Sequence, residues 1–409
     1  MSENIKKNWS NYFKIYVLAL IFFGIFFLYS KHDVGNDSSL SDWLINYEGG
    51  FVRRGLLGEM IINFSTALSL KLRDSILIFQ LFFFVSYYFL IILFCKNLFH
   101  NRIIILAIFS PIFVLYPVAE IEVLGRKELI IFLIFLSYLL FDIKSFKIQL
   151  IYKIILFPLS VLTWEPVFLF FPFIFLIDLF VFKIKKFDKK FFYILLSYFL
   201  SILLAILIYL NPFPKENYNM MSDFLKNQFD ERCYMSCGYV GKQSANSFSE
   251  FFKVFLEKFE VTYAIRYLII ILVGFLPLYL LSIYSKIKSK NQILIISKFK
   301  NLFFPFLLAF LPSTVLYLVM YDWARIVHLS YTFSILTFLY LLKENFIEFS
   351  NQKVQTSYIS KLPKKFFIIL FFVFAFGWNP KVVMVDDVAS KPIYATPYKF
   401  YKYFIRDKF

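Results

Sequence analysis

Residues 41–59 read SDWLINYEGGFVRRGLLGE and lie between two long apolar runs, at 13–29 and 76–95. Each run has the length that a helix needs to cross a bilayer, about 17 to 25 residues. Hydrophobic residues make up 60% of the 409-residue chain and the mean hydropathy is +0.69, values that exclude an ordinary soluble globular protein. The sequence therefore predicts an all-α polytopic membrane protein, in which this polar stretch lies at the membrane surface or lines a wet cavity.

Apolar runs continue to the end of the chain and predict about eleven transmembrane helices in a single membrane-embedded domain, 1–409. The first run has no small-residue cleavage site after it, so we expect it to remain as a helix. No internal repeat is evident in the sequence. The runs after the first two lie at 103–118, 129–141, 154–162, 164–182, 192–210, 263–284, 302–320, 329–342 and 366–378.

Lysines precede the first run and cluster after alternate later runs, including Lys144, Lys147 and Lys153. Because positive residues stay on the cytoplasmic side, this pattern predicts that the amino terminus is inside and the carboxyl-terminal tail, 379–409, outside. It also accounts for the net charge of +17, so we expect no nucleic-acid partner.

Two predicted outer segments are long. The first outer loop, 31–74, contains an amphipathic segment at 56–70 that predicts an interfacial helix. The second, 211–261, is the longest polar insertion and can cover a cleft as a lid. Cys233 and Cys237 in this insertion predict a disulfide in an oxidising compartment. A zinc site is the alternative, although further His or Cys ligands are not close by in the sequence.

The carboxylates of the first outer loop are candidates for a catalytic base. Asp42 and Glu48 are the two preferred candidates, and Asp33 and Asp37 are their rivals. A carboxylate in this position can accept a proton from a substrate hydroxyl.

The same loop offers two adjacent arginines between glycines. Arg53 and Arg54 carry planar, permanently charged forks that suit carboxylate or phosphate. Gly49, Gly50 and Gly55 allow tight turns or a close approach of the backbone to a ligand. These features favour a site for an anionic substrate, and a charged loop that anchors the fold at the interface is the alternative.

Three further segments bring ionisable residues to the same predicted face, where such residues are costly and usually functional. Asp322 and Arg325 have i,i+3 spacing and can simply pair with each other. Glu165 precedes Pro166 and can simply cap a helix. His328 is better explained as a hydrogen-bonding helix residue than as a metal ligand. The candidates for binding substrate or phosphate outside the first loop are Glu122, Arg126, Glu128, Glu165, Asp322, Arg325 and His328.

Transfer of a sugar from a lipid-phosphate donor needs this combination of groups. A carboxylate acts as general base toward the acceptor hydroxyl. Arginines neutralise the charge that develops on the departing phosphate or diphosphate. The apolar body accommodates a polyprenyl chain, and Trp43, Tyr47, Trp164 and Trp323 can stack on sugar faces.

With acids in the first outer loop of a multispan chain, the sequence resembles the integral-membrane glycosyltransferases of the C superfamily. GGFVRRGLLGE at 49–59 is also similar to uncharacterised proteins of bacterial surface-polysaccharide clusters, including candidate O-antigen polymerases. The resemblance implies that Asp42 or Glu48 is catalytic. It implies a bacterial cytoplasmic (inner) membrane location with an outward-facing site. Outer-loop arginines that can serve such a polymerase are Arg53, Arg54, Arg126, Arg232 and Arg325.

The implied partners are a polyprenyl-linked glycan substrate, the lipid bilayer and other polysaccharide-assembly proteins. The first loop lacks a clear DxD pair, so no metal ligand is assigned and a divalent metal stays open as a cofactor. Single-sugar transfer and repeat-unit polymerisation are not separated by the sequence. Two alternatives stay open: a transporter or flippase of lipid-linked or anionic solutes, which more often shows repeats and broken spans, and a non-catalytic assembly subunit.

Overall fold

The architecture is helical. The computed structural model describes residues 3–36, 38–141, 145–242, 252–253, 256–257, 259–288, 293, 295–320, 322–350 and 357–382. In these ranges six helices are long and apolar enough to cross a membrane. The predicted class, a helical multi-pass protein, agrees with this architecture.

The helices are numbered here in chain order. They are α1 (Glu3–His32), α2 (Gly55–Leu68), α3 (Leu72–Cys95), α4 (Arg102–Ile108), α5 (Glu128–Leu140), α6 (Phe146–Thr163), α7 (Phe171–Val181), α8 (Lys189–Leu210), α9 (Lys215–Phe229), α10 (Met235–Lys242), α11 (Val261–Tyr284), α12 (Phe303–Phe310), α13 (Trp323–Lys343) and α14 (Lys364–Phe376). Short helical turns lie at Ser38–Ser41, Asp42–Leu44, Tyr116–Ala119, Glu165–Phe170, Ile295–Lys298, Leu311–Val315, Leu316–Val319 and Tyr358–Lys361. Two strands, β1 (Ser285–Ile287) and β2 (Ile347–Phe349), pair antiparallel with Lys286 opposite Glu348.

Helix α13 lies at the centre of the molecule. Its residues from Trp323 to Leu341 are all buried, and α7 and α11 pack against it. By contrast, α1, α3, α8 and α11 leave many large apolar side chains exposed, as expected of helices that face lipid. The ionisable residues at the start of α13 are therefore enclosed by protein.

Some predicted crossings are broken or short. The run at 103–118 forms α4 only as far as Ile108, because Pro111 follows and a proline restricts the residue before it. The run at 302–320 changes from α12 to a 3-10 turn that contains Pro312. Helix α5 has 13 residues, about 20 Å at the usual helical rise, which is less than the bilayer core of about 30 Å.

The helix expected at 154–162 begins earlier, at Phe146, and includes Lys153. Lys153 is fully buried, and its Nζ donates to Asp178 Oδ2 at 2.6 Å. Tyr138 and Tyr198 also donate to the Asp178 carboxylate. The interpretation of Lys153 as a loop lysine is therefore wrong, because it lies inside a helix and pairs with Asp178 in the bundle.

The predicted lid segment packs on the first outer loop. Trp43 from the loop and Met221 and Leu225 from α9 share a hydrophobic cluster that is separate from the main core. Cys233 and Cys237 form a disulfide with a Cα–Cα distance of 5.1 Å. Most of the remaining predicted insertion, 243–261, and residues 383–409 of the predicted tail lie outside the described residues.

Candidate functional site

The backbone of Arg54 has an unusual conformation. Arg54 directly precedes α2 and has a φ of 63°, in the left-handed region that a bulky side chain rarely occupies. Such a residue stores strain of about 1–3 kcal/mol and persists where its surroundings hold it. Lys127 supplies one such contact, because its Nζ donates a 2.7 Å hydrogen bond to the Arg54 carbonyl oxygen.

The Arg54 side chain makes a two-point contact with Glu165, in the turn between α6 and α7. Its Nε donates to Oε2 at 2.8 Å and its Nη2 to Oε1 at 3.0 Å. Arg53 Nη1 lies 3.6 Å from the same Oε1. Burial alone would raise the pKa of Glu165, but Arg54 and Arg53 outweigh it and lower the pKa to about 2. The two arginines therefore differ in their contacts with Glu165. The Arg54 guanidinium makes two hydrogen bonds with it, whereas Arg53 makes one longer contact.

Asp42 is a buried carboxylate with unused acceptors. It opens the turn Asp42–Leu44 and is 3% exposed, and neither of its side-chain oxygens accepts a hydrogen bond from the described residues. Arg54 Nη1 lies 4.0 Å from its Oδ1. Burial acts to raise the pKa of Asp42, yet Lys127 and Arg54 lower it overall. The neighbouring cations thus favour the ionised form of the Asp42 carboxylate.

Lys127 and Trp43 form the wall beside Asp42. Trp43 Nε1 donates to the carbonyl oxygen of Gly125 at 2.8 Å, and Lys127 Nζ lies 5.9 Å from the centre of the Trp43 ring. Gly125 has a φ of 71°, which glycine adopts without steric cost. Burial lowers the pKa of Lys127 to about 8, although Asp42 acts in the opposite direction.

A second group of ion pairs adjoins this one. Asp322 Oδ2 lies 3.4 Å from Arg325 Nη1 and 3.5 Å from Arg126 Nη1. Arg325 also pairs with Glu128, the first residue of α5. Arg126 further donates to Ser38 Oγ. The i,i+3 pairing of Asp322 with Arg325 occurs as its spacing predicted, but Arg325 additionally joins two helices.

Aromatic rings and a small cavity complete the site. The Arg325 guanidinium lies 5.4 Å from the centre of the Trp164 ring, whose buried Nε1 donates to no other described residue. His328 Nδ1 makes a 2.9 Å hydrogen bond with the carbonyl oxygen of Ile112. Arg126, Glu128, Arg325 and His328 help to line a cavity with room for about one water molecule.

The structure brings together most, but not all, of the predicted residues. Glu48 is exposed, and its side chain lies outside the buried cluster. Glu122 is also exposed and contributes its carbonyl oxygen, which accepts from Arg126 Nε at 2.8 Å. Arg232 is exposed as well, and Asp37 lies outside the described residues. The buried cluster consists of Asp42, Arg53, Arg54, Arg126, Lys127, Glu128, Glu165, Asp322 and Arg325.

The glycines of the first loop allow close contacts with other parts of the protein. A Cβ on Gly49 would lie 2.0 Å from the carbonyl oxygen of Asn217 in α9, and one on Gly55 would lie 2.4 Å from the Tyr47 ring. Gly50 has a φ of 106°. These glycines therefore let the first loop turn and let α9 pack closely against it.

Sequence reasoning missed Lys127 and the Lys153–Asp178 pair. Lys127 lies in the motif Gly125-Arg126-Lys127-Glu128, which was singled out for its other charges. The positive-inside rule accounts for lysines next to apolar runs as signals of membrane orientation. It therefore gave no reason to expect that Lys127 and Lys153 are buried. Asp178 carried a usable signal, since it is an acidic residue inside the apolar run at 164–182.

Searches of protein-family models, of curated proteins and of solved structures found no match to this chain. The site must therefore be interpreted from its own chemistry. Among the described residues, nine ionisable side chains converge from segments that are distant in sequence, five cations with four carboxylates. Asp42 and Glu128 accept no hydrogen bond from these residues, but Glu128 pairs with Arg325, so Asp42 is the more available carboxylate. Such an arrangement can accept a proton from a hydroxyl and hold an anionic group nearby.

Proposed function

We propose that this protein transfers or polymerises sugars from polyprenyl-(di)phosphate-linked donors in the biosynthesis of cell-surface glycans. The observation that carries the proposal is the Asp42 carboxylate, which is buried beside cations that lower its pKa and accepts no hydrogen bond from the part of the chain that the structure describes. A buried acceptor without a donor costs about 1–3 kcal/mol, and a substrate hydroxyl relieves that cost. The closed site then gains its missing partner when the acceptor binds.

The roles follow from the contacts. Asp42 accepts the proton of the acceptor hydroxyl as general base. Arg53, whose fork is only loosely engaged by Glu165, binds the departing phosphate. Arg54 and Glu165 hold each other and keep the first loop in place. Arg126 and Arg325 add positive potential from the neighbouring ion-pair group.

The lipid part of the substrate is accommodated by the apolar helices. In this proposal the shorter and broken segments complete about eleven crossings, with the amino terminus inside and the carboxyl terminus outside. The site faces outward from a bacterial cytoplasmic (inner) membrane, and α2 lies at the interface. The substrate is a polyprenyl-linked glycan, and other polysaccharide-assembly proteins act with it.

Opening the site requires a movement, because the Asp42 side chain is buried. The segment 211–242 is the mobile cover in this proposal, since α9 and α10 pack on the first loop that carries Asp42. Ser236 N donates to Ser41 Oγ at 3.2 Å, directly beside Asp42. Release of this contact exposes the turn on which the base lies.

A transporter or flippase of lipid-linked or anionic solutes is the second candidate. The fully buried Lys153–Asp178 pair favours it, because ionisable groups at membrane depth often mark transport pathways. The hydrogen bonds of Asp178 to Tyr138 and Tyr198 argue for a structural pair instead. Variants at Asp178 and at Asp42 therefore separate the two candidates.

The test is glycan chain length on gels, in cells that lack the gene and are complemented with wild type, Asp42→Asn or Arg53→Ala at matched membrane levels. Single repeat units on the carrier or core in the deletion strain indicate a polymerase, and a truncated unit indicates a one-sugar transferase. We expect cells with either variant to show the same glycan chain lengths as the deletion strain. Normal glycans from both variants would contradict it and favour transport or a role in assembly.

A further inference from the structure

The two ends of the first outer loop meet at a group of metal-ligand side chains, apart from the Asp42 cluster. His32 is the last residue of α1, Asp33 follows it, and Asp74 lies in the first turn of α3. His32 Nε2 lies 3.5 Å from Asp33 Oδ2 and 3.4 Å from Asp74 Oδ1. One ligand atom from each residue falls within 4.8 Å of the others. The group is therefore compact enough to share one ion.

The hydrogen bond of His32 Nδ1 identifies Nε2 as the nitrogen that is available to a ligand. His32 Nδ1 lies 2.5 Å from the carbonyl oxygen of Tyr29. A carbonyl can only accept, so Nδ1 carries a proton, and Nε2 is the ring nitrogen that faces the two carboxylates and can act as a ligand. Metal-binding histidines show this arrangement, with the other ring N–H held by a carbonyl or carboxylate.

The distances and charges fit a divalent ion. Two ligands that each lie about 2.0–2.1 Å from a tetrahedral zinc ion are about 3.4 Å apart, which is the separation of His32 Nε2 from Asp74 Oδ1. Metal ions bind the neutral form of imidazole and the ionised form of carboxylate, and one such imidazole with two such carboxylates would bring a charge of about −2 to the ion. One imidazole with carboxylates suits zinc or manganese better than a soft metal.

Arg73 adjoins this group of side chains, but its side chain makes other contacts. Arg73 pairs with Glu231, and its Nη1 donates to the carbonyl oxygens of His32, Asp33 and Gly35 at 3.2, 2.9 and 3.2 Å. Its positive charge is thus directed to Glu231 and to backbone. These bonds also hold the turn that carries two of the ligands, so the ligands are positioned before any ion arrives.

We propose that His32, Asp33 and Asp74 bind one divalent cation of the zinc or manganese class, which fastens the first outer loop at its base. The ligands come directly before and directly after residues 34–73, which carry Asp42, Arg53 and Arg54. Tying the ends of a long loop reduces the conformational freedom of the loop. This proposal does not depend on sugar transfer.

The test uses the full chain, purified in detergent and stripped with EDTA, and measures Zn²⁺ and Mn²⁺ binding by calorimetry. The matched variants are His32→Gln and Asp74→Asn, with the exposed Asp223→Asn as control. We expect about one ion per chain, and affinity more than about tenfold weaker in both ligand variants, because even hydrogen-bond partners of ligands are worth that much. Asp223→Asn should bind as wild type does.

Limited proteolysis of the first loop with and without the ion gives a readout that is independent of binding heat. The ion should slow cleavage of residues 34–73 in wild type and not in Asp74→Asn. If neither Zn²⁺ nor Mn²⁺ binds, the proposal is overturned. The contacts of His32 with Asp33 and Asp74 are then ordinary ion pairs. Undiminished binding in both ligand variants would overturn it by placing the ion elsewhere on the chain.

Discussion

Lys127 Nζ donates a 2.7 Å hydrogen bond to the carbonyl oxygen of Arg54, whose backbone lies in the left-handed region at a φ of 63°. The bond joins the segment before α5 to the first outer loop. It stabilises the strained backbone of Arg54, whose guanidinium donates to Glu165. Lys127 therefore contributes to the position of Arg54 through a backbone contact.

Lys127→Met should destabilise the protein. The change leaves the Arg54 carbonyl without its donor and removes the positive charge that most strongly offsets the burial of Asp42. We expect a loss of about 1–3 kcal/mol in the free energy of unfolding, measured as thermal or denaturant unfolding in detergent. Lys226→Met, an exposed lysine on α9, is the control. Equal stability of the two variants would contradict the role given to Lys127.

Replacing the two adjacent arginines should give different results. Arg54→Ala leaves Glu165 with only the 3.6 Å contact to Arg53, so the protein should become less stable and its membrane level should fall. Arg53→Ala leaves the two-point Arg54–Glu165 contact intact and should lower glycan synthesis at a normal membrane level. Immunoblots of membranes and glycan gels measure both effects. The reverse outcome would exchange the roles of the two arginines.

Glu165 should contribute stability that depends on pH. Its folded-state pKa of about 2 lies below the ordinary value of 4.5. The stabilisation is therefore fully present above about 4.5 and is lost as the pH falls toward about 2. Wild type should be more stable than Glu165→Gln at pH 6, and the difference should shrink on acidification. The exposed Glu48→Gln serves as control. A difference that stays constant down to pH 3 would contradict this prediction.

The Lys153–Asp178 pair should behave as a buried structural pair. Removing one partner by Lys153→Met or Asp178→Asn leaves an unpaired charge in the bundle or an unbalanced network, at a cost of about 3–5 kcal/mol. The double variant should regain part of that loss. Melting temperatures in detergent and the yield of folded protein test this. If the single variants are as stable as wild type and solute transport fails, the pair belongs to a transport pathway instead.

The class of the protein could be predicted from the sequence because apolar runs of membrane length are a strong local signal. It is harder to predict the bounds of a segment when partners from distant parts of the chain determine its burial. Helix α13 begins at Trp323 and not at 329, since Arg325 and His328 are buried by partners from distant segments. Hydropathy records the polarity of those side chains and not their partners, so it placed the start of the helix too late.

The candidate site was predicted in composition but not in detail. Spacing indicated the local Asp322–Arg325 pair. The pairing of Arg54 with Glu165 joins residues 111 positions apart, and no sequence pattern in a single chain reveals it. Asp42 and Glu48 were equal candidates on sequence because both are acids in one loop. Burial separates them, because Asp42 lies inside the cluster and Glu48 is exposed.

The most direct test of the central claim is sugar transfer in proteoliposomes that contain the purified protein and lipid-linked saccharides extracted from the deletion strain. Wild type and Asp42→Asn are compared at equal folded amounts, with chain growth followed on gels. We expect the variant to lose about 10²–10⁴-fold of the rate, the usual contribution of a general base. Transfer by Asp42→Asn at the wild-type rate would contradict the assignment of Asp42, and the absence of transfer by wild type would contradict the proposed function.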